Sequence, residues 1–142
     1  MKTILVLEHD TLIRALIRFV IEQSGYKMQE ATSPRAVFER FEENHSEIDL
    51  LIADVTAPEF SGIRVALDLW ALLPNLKIVL MSGRAGSMCD GQTLGKLEKF
   101  PSSNWVAVLG KPFFPVMLLD AIHRLIGLPY EVAPALQMNA AS

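Results

Sequence analysis

Asp49-Leu50-Leu51-Ile52-Ala53-Asp54, followed by Val55-Thr56-Ala57-Pro58-Glu59-Phe60-Ser61-Gly62, is the stretch on which the reading of this chain turns. An apolar run closed on both sides by aspartates and followed by Pro58, Ser61 and Gly62 reads as a buried strand that ends in a loop. A carboxylate at the carboxyl end of such a strand stands where open α/β sheets place ligands and chemistry. Asp54 is therefore the first candidate site residue. Two more strand ends carry polar groups: Glu8-His9-Asp10 follows Thr3-Ile4-Leu5-Val6-Leu7, and Lys111-Pro112-Phe113 follows Trp105-Val106-Ala107-Val108-Leu109. Acids, an acceptor aspartate and a lysine on adjacent strand ends would make a compact phosphoryl-transfer site.

Outward from this stretch the chain alternates strand and helix. Residues 3–7 form a continuous apolar strand. The pattern predicts a helix over 11–24, with Leu12, Leu16, Phe19 and Val20 on its buried side, Asp10 or Thr11 as its cap and Gly25 as its stop. A short strand over 27–31 precedes a second helix opened by Ser33-Pro34, with Ala36, Val37, Phe41 and the Arg40 methylenes facing inward. The strand at 48–53 leads to a third helix from Ser61-Gly62, where Ile63, Ala66, Leu67 and Trp70 share a face. Strand four is expected over 76–81. The interval 82–104, with Gly83, Gly86, Gly91 and Gly95, has poor periodicity and at most a weak helix over 92–99. Strand five is expected over 105–109. The last helix opens at Pro115, buries Leu118, Leu119, Ile122, Leu125 and Ile126, and ends at Gly127 and Pro129. Five apolar strands alternating with helices predict a flavodoxin-like, doubly wound α/β fold. Its parallel sheet has order 2-1-3-4-5, with helices on both faces. Glu8, His9 and Asp54 then converge at the switch point.

Composition narrows the function. A chain of 142 residues, 51% apolar and 20% charged, suits one folded domain. We expect that domain over 1–128, with a flexible tail over 129–142. A net charge of −3 without a basic run argues against nucleic acid as a partner. Cys89 is the single cysteine, which excludes an intrachain disulfide and fits a free thiol in a reducing cytoplasm. The apolar start is too short for a signal peptide and is interrupted by Glu8, His9 and Asp10. No apolar stretch is long enough to span a bilayer, so a cytoplasmic location without membrane partners is expected. A P-loop, a Cys-x5-Arg motif and a Gly-x-Ser-x-Gly elbow are all missing, which weighs against a small phosphatase or hydrolase. The acidic stretch from Glu8 to Thr11 weighs against a flavin-phosphate loop.

Four strings together resemble the receiver domain of two-component response regulators. Ile4 to Arg14 resembles the family's first strand, acidic pair and start of helix one. Asp49 to Asp54, with Pro58 and Gly62, resembles the phosphoacceptor strand and its loop. Ile78-Val79-Leu80-Met81-Ser82-Gly83 resembles the fourth strand ending in the switch Ser/Thr, and Lys111-Pro112-Phe113 the lysine–proline motif. The resemblance implies that Asp54 accepts a phosphoryl group from a sensor histidine kinase or a histidine phosphotransfer protein. It implies that Lys111 holds a phosphoryl oxygen and that Ser82 donates to another. It also implies Mg²⁺ held by the acidic pair, Asp54 and the Thr56 carbonyl, and a cis peptide bond before Pro112. Such a module catalyses only its own phosphorylation and dephosphorylation and signals by protein contact. It occurs as a stand-alone chain or as part of a hybrid kinase.

Two departures from the family pattern bear on that expectation. His9 stands where the second acid of the pair is usual, leaving Glu8 alone. An imidazole nitrogen suits transition metals better than Mg²⁺. Weak Mg²⁺ binding, substitution by Asp10, a site for Mn²⁺ or another divalent ion, and a degenerate receiver that docks on proteins without phosphate all stay open. Val108 stands where an aromatic switch residue is common, and the interval between Ser82 and Lys111 is long for the family, so the output surface is the least transferable part.

Overall fold

The computed structural model describes residues 1–44, 47–55, 62–82 and 106–130. The expectations for Thr56, Pro58, Cys89, a helix over 92–99 and the tail from 131 onward fall outside the described residues. Five parallel strands are present: β1 (Thr3–Leu7), β2 (Lys27–Ala31), β3 (Ile48–Asp54), β4 (Lys77–Ser82) and β5 (Val106–Gly110). The described helices are α1 (Thr11–Gln23), α2 (Pro34–Asn44), α3 (Gly62–Leu72) and α4 (Pro115–Ile126). The sheet order is β2-β1-β3-β4-β5, the flavodoxin-like order expected from the alternation. β3, β4 and β5 each reach one residue further than the apolar runs alone suggest.

Strand alternation builds two cores. Ile4, Val6, Leu50, Ile52, Val79 and Met81 meet Ile17, Val20 and Ile21 of α1 and Leu118 and Ile122 of α4. Leu5, Leu7, Leu51, Ala53, Ile78 and Leu80 meet Val37 and Phe41 of α2 and Ile63, Ala66 and Leu69 of α3. Because side chains alternate with period two, one more step along β1 and β3 places Glu8 and Asp54 in phase with the α1/α4 side of the sheet. Lys111 follows Ala107 and Leu109 in the same phase. Leu7 pairs with Ala53, and Asp54 with Met81, so these strands end level with one another.

The helix ends obey their local chemistry. Asp10 is extended, and its Oδ1 accepts from Leu12 N at 2.9 Å and Ile13 N at 3.0 Å, which caps α1. Those bonds, that from Ile13 first, hold its carboxyl below the ordinary aspartate range. At the other end Gly25 has φ of 91°, a conformation other residues rarely adopt, and Tyr26 N donates to Ile21 O at 3.0 Å. Ser33 Oγ accepts from Ala36 N at 3.1 Å ahead of Pro34. Past the last helix, the Pro129 carbonyl accepts from Lys2 N at 2.9 Å. Tyr26 OH donates to the Gly127 carbonyl, and burial pushes its phenol pKa upward.

One assignment needs correction. Of the four residues placed inside α1, only Val20 is buried; Leu12 is 83% exposed, Phe19 64% and Leu16 40%. The inward stripe is Ile17, Val20 and Ile21, with Ile13 partly buried. Leu12-Leu16-Phe19 and Ile13-Ile17-Val20 are both apolar at helical spacing and lie one residue apart, so periodicity alone does not choose between them. Smaller shifts affect α2 and α3. The exposed Arg40 reaches the Glu30 carbonyl at 3.3 Å instead of lining the core. Val65 and Leu69 are buried where Leu67 and Trp70 are only partly so. Replacing a fully buried isoleucine by alanine removes about 2–5 kcal/mol, whereas exposed positions change stability by about 0.5 kcal/mol or less. Ile17→Ala should therefore lower the unfolding free energy by about 2–5 kcal/mol in a denaturant titration, while Leu12→Ala leaves it nearly unchanged.

Candidate functional site

The carboxyl ends of β1, β3 and β5 bring three ionisable groups together. Glu8 is fully buried and Asp54 is 2% exposed. Lys111 Nζ lies 2.6 Å from Glu8 Oε2 and 3.4 Å from Asp54 Oδ1. Two carboxylates shut away from water need a compensating charge, and one ammonium bridges both. The Lys111–Pro112 peptide bond is cis, as the family resemblance implied. Lys111 N donates to Ser82 O at 2.6 Å, which ties the end of β5 to the end of β4.

His9 stands at the mouth of this cluster. Its side chain is 48% exposed, and its Nδ1 lies 3.3 Å from Asp54 Oδ2 and 3.6 Å from Glu8 Oε1. Glu8, His9 and Asp54 each present one donor atom, all within 4.8 Å of one another, so the three can hold a divalent ion. Asp10 is engaged in capping α1, and its backbone N donates to Glu8 Oε1 at 3.1 Å. Ser82 is buried at the end of β4, one position beyond the residue that pairs with Asp54. Its phase along β4 is that of Ile78 and Leu80, the opposite side of the sheet from Glu8, Asp54 and Lys111. Thr56 is outside the described residues.

A cavity of about 430 Å³ opens over these groups. Glu8, His9, Asp54 and Lys111 form its polar floor, and Leu16 and Phe113 belong to its apolar wall. Two further residues support these groups through the backbone. Arg14 Nη1 donates to the Glu8 carbonyl at 2.8 Å, and its Nε lies 3.7 Å from Glu30 Oε1. Arg18 also pairs with Glu30, at 2.9 Å, and this contact holds its guanidinium pKa above the ordinary value. An arginine one turn beyond a capping aspartate and an acidic residue in strand two are the only signals the sequence offers for this link. Gly62 is the second. A Cβ there would lie 2.1 Å from the Asp54 carbonyl oxygen, so the start of α3 packs directly on the Asp54 backbone.

Removing Lys111 strands two buried carboxylates, a change that costs about 3–5 kcal/mol in comparable buried pairs. Lys111→Met should lower stability at neutral pH by that order, and adding Glu8→Gln should restore part of it in the same thermal melt. Gly62→Ala forces backbone apart and should cost about 1–3 kcal/mol. It should also shift the Asp54 amide resonance.

The chain matches the profile of the family "Response regulator receiver domain" over residues 4–123. It is 26% identical over 125 residues to the chemotaxis protein CheY of Thermotoga maritima, covering 87% of this chain and 97% of that one. It is 27% identical over 126 residues to the receiver protein CpdR of Brucella abortus, covering 89% and 98%. Sensor kinase CckA of Brucella abortus is 30% identical over 124 residues, a match spanning 87% of this chain and 12% of that kinase. Among solved structures, a receiver domain protein from Clostridium thermocellum superposes with a TM-score of 0.74 at 25% identity, covering 89% of this chain and 94% of the other. TrrA of Thermotoga maritima, solved in complex with Mg²⁺-BeF, gives 0.72 at 23% identity, covering 89% and 100%. With the family profile matched along most of its length and the family's sheet order in place, this chain belongs to the response regulator receiver domains of two-component signalling.

Proposed function

We propose that Asp54 accepts a phosphoryl group from a phosphohistidine on a sensor histidine kinase or a histidine phosphotransfer protein. The observation that carries this reading is a buried carboxylate at the end of β3 whose Oδ1 lies 3.4 Å from the Lys111 ammonium, beneath an open cavity. Asp54 oxygen attacks phosphorus, the P–N bond breaks, and the imidazole leaves with the electron pair and is protonated. An acyl phosphate remains on Asp54. Lys111 neutralises an entering phosphoryl oxygen as a point cation, and the Ser82 hydroxyl donates to another once the end of β4 moves toward the group. Glu8, His9 and Asp54 would hold a divalent ion, for which the Thr56 carbonyl is proposed as a further ligand, and such an ion would supply additional positive charge at the site. The unit, taken as residues 1–128, is catalytic only in its own phosphorylation and dephosphorylation, acts in the cytoplasm and signals by protein contact. Among the described residues no helix is long and apolar enough to cross a membrane.

The exposed stripe Leu12, Leu16 and Phe19 supports a protein donor. It runs along α1 from the cavity, with Leu16 in the cavity wall, and offers a helical apolar surface next to the reacting carboxylate. The alternative, a degenerate receiver that docks without phosphate, draws on His9 in place of an acid and on Lys111 lying closer to Glu8 than to Asp54.

Intact mass after incubation with acetyl phosphate and a divalent ion decides between them. A single phosphoryl adduct on the wild type, missing in Asp54→Asn, is the expected result. No adduct with Mg²⁺ or Mn²⁺, and none from phosphorylated kinases, would sink the phosphotransfer reading and favour the docking one. Phe19→Ala should slow transfer from a phosphorylated kinase about tenfold or more, the size of a binding hot spot. Labelling by acetyl phosphate should be unchanged in that variant.

A further inference from the structure

We infer that His9 makes the cation site selective for a divalent transition ion that accepts nitrogen, with Zn²⁺ as the type case, at the expense of Mg²⁺. The inference rests on the reading above that an ion sits on Glu8, His9 and Asp54. The donor set is two carboxylate oxygens and one imidazole nitrogen. Imidazole suits zinc and its neighbours in the transition series, whereas Mg²⁺ takes hard oxygen ligands in a near-regular octahedron.

Charge points the same way. Lys111 already lies 2.6 Å from Glu8 and 3.4 Å from Asp54, so the two acids and the lysine leave one net negative charge for a cation. Mg²⁺ gives up its water reluctantly and depends on carboxylate charge to be held. A zinc-like ion gains from the nitrogen bond itself. Asp10 does not stand in for the missing acid: its carboxylate caps α1 through Oδ1, and it is not one of the three side chains whose donor atoms gather within 4.8 Å of one another.

The two separations that involve His9 fit a zinc-like ion as well. Ligand atoms about 2.1 Å from a tetrahedral zinc lie about 3.4 Å from one another. The edges of a Mg²⁺ octahedron are about 2.9 Å. Nδ1 of His9 lies 3.3 Å from Asp54 Oδ2 and 3.6 Å from Glu8 Oε1. Nδ1 is the nitrogen facing both acids, so a ligating ring keeps its proton on Nε2, toward solvent. With His9 half exposed, a fourth position opens on the cavity, where water or a phosphoryl oxygen enters.

The test is calorimetric titration of the whole chain with Zn²⁺ alone and with Mg²⁺ alone, for the wild type, His9→Asp and His9→Ala. The imidazole ¹⁵N resonances of His9 are followed in parallel. His9→Asp should bind Mg²⁺ at least tenfold more tightly than the wild type and Zn²⁺ more weakly. His9→Ala should lose most of the Zn²⁺ affinity, and Zn²⁺ should displace the wild-type Nδ1 resonance. Equal Zn²⁺ affinity in the wild type and His9→Ala, or a Zn²⁺-to-Mg²⁺ preference unmoved by His9→Asp, would overturn the inference. Binding is read without phosphorylation, so the two readings fail separately. Expected selectivity with no phosphoryl adduct would sink only phosphotransfer, and an adduct with Mg²⁺ alongside unmoved selectivity would sink only the metal assignment.

Discussion

Two carboxylates at the end of a parallel sheet, cut off from water, share one ammonium. Everything around Glu8, Asp54 and Lys111 is consistent with keeping that arrangement in place. Isolated buried charges are among the costliest groups a small domain can carry, and a shared cation is the least expensive way to hold two of them. The arrangement requires strands from three separate parts of the chain to finish at one level. The registers meet that requirement: Leu7 opposite Ala53, Asp54 opposite Met81 and Ser82 opposite Gly110. A slip of one residue in any of these pairs would turn a charged side chain to the other side of the sheet.

Apolar packing supplies the stability against which this cluster is held. The apolar residues of β1 and β3 are buried on both faces, so each of them serves one of two cores. Edge strand β5 alternates buried with partly or fully exposed residues, and edge strand β2 buries only Met28 and Ala31. The polar cluster sits on the core side shared by α1 and α4; among the described residues, the buried polar groups in phase with the α2/α3 side are Thr3 and Ser82. Gly62 allows α3 to start against the Asp54 backbone, so the residue that carries this carboxylate is braced by main chain rather than by a side chain that can rotate.

Much of this was legible in the sequence. The strands announce themselves as short apolar runs, and Asp54, Glu8, His9 and Lys111 each follow one, so their convergence needs only the sheet order. Caps were readable too, because Asp10 and Ser33 carry their chemistry locally. What escaped was set by choices that local pattern does not make. α1 has two adjacent apolar stripes, and only packing against β1, β3 and α4 selects Ile17 and Ile21 over Leu12 and Phe19. Arg14 escaped because its partner at the site is the carbonyl of Glu8, a backbone atom that sequence composition does not advertise. Gly62 was read as a helix start, but its need to be glycine arises from an atom eight residues earlier that reaches it through the fold.

The turn after β1 and the first turn of α1 are hydrogen-bonded into one unit. Asp10 N donates to Glu8, Asp10 caps Leu12 and Ile13, and Arg14 reaches back to the Glu8 carbonyl. The helix that displays Leu12, Leu16 and Phe19 is thus fastened to the acid it stands beside. A protein that gripped that helix would take hold of a handle hydrogen-bonded to the cluster below, and a small error in its seating would be transmitted to Glu8 instead of being absorbed by a flexible hinge. Discrimination among similar partners would then come from stiffness, without any contact reserved for telling them apart.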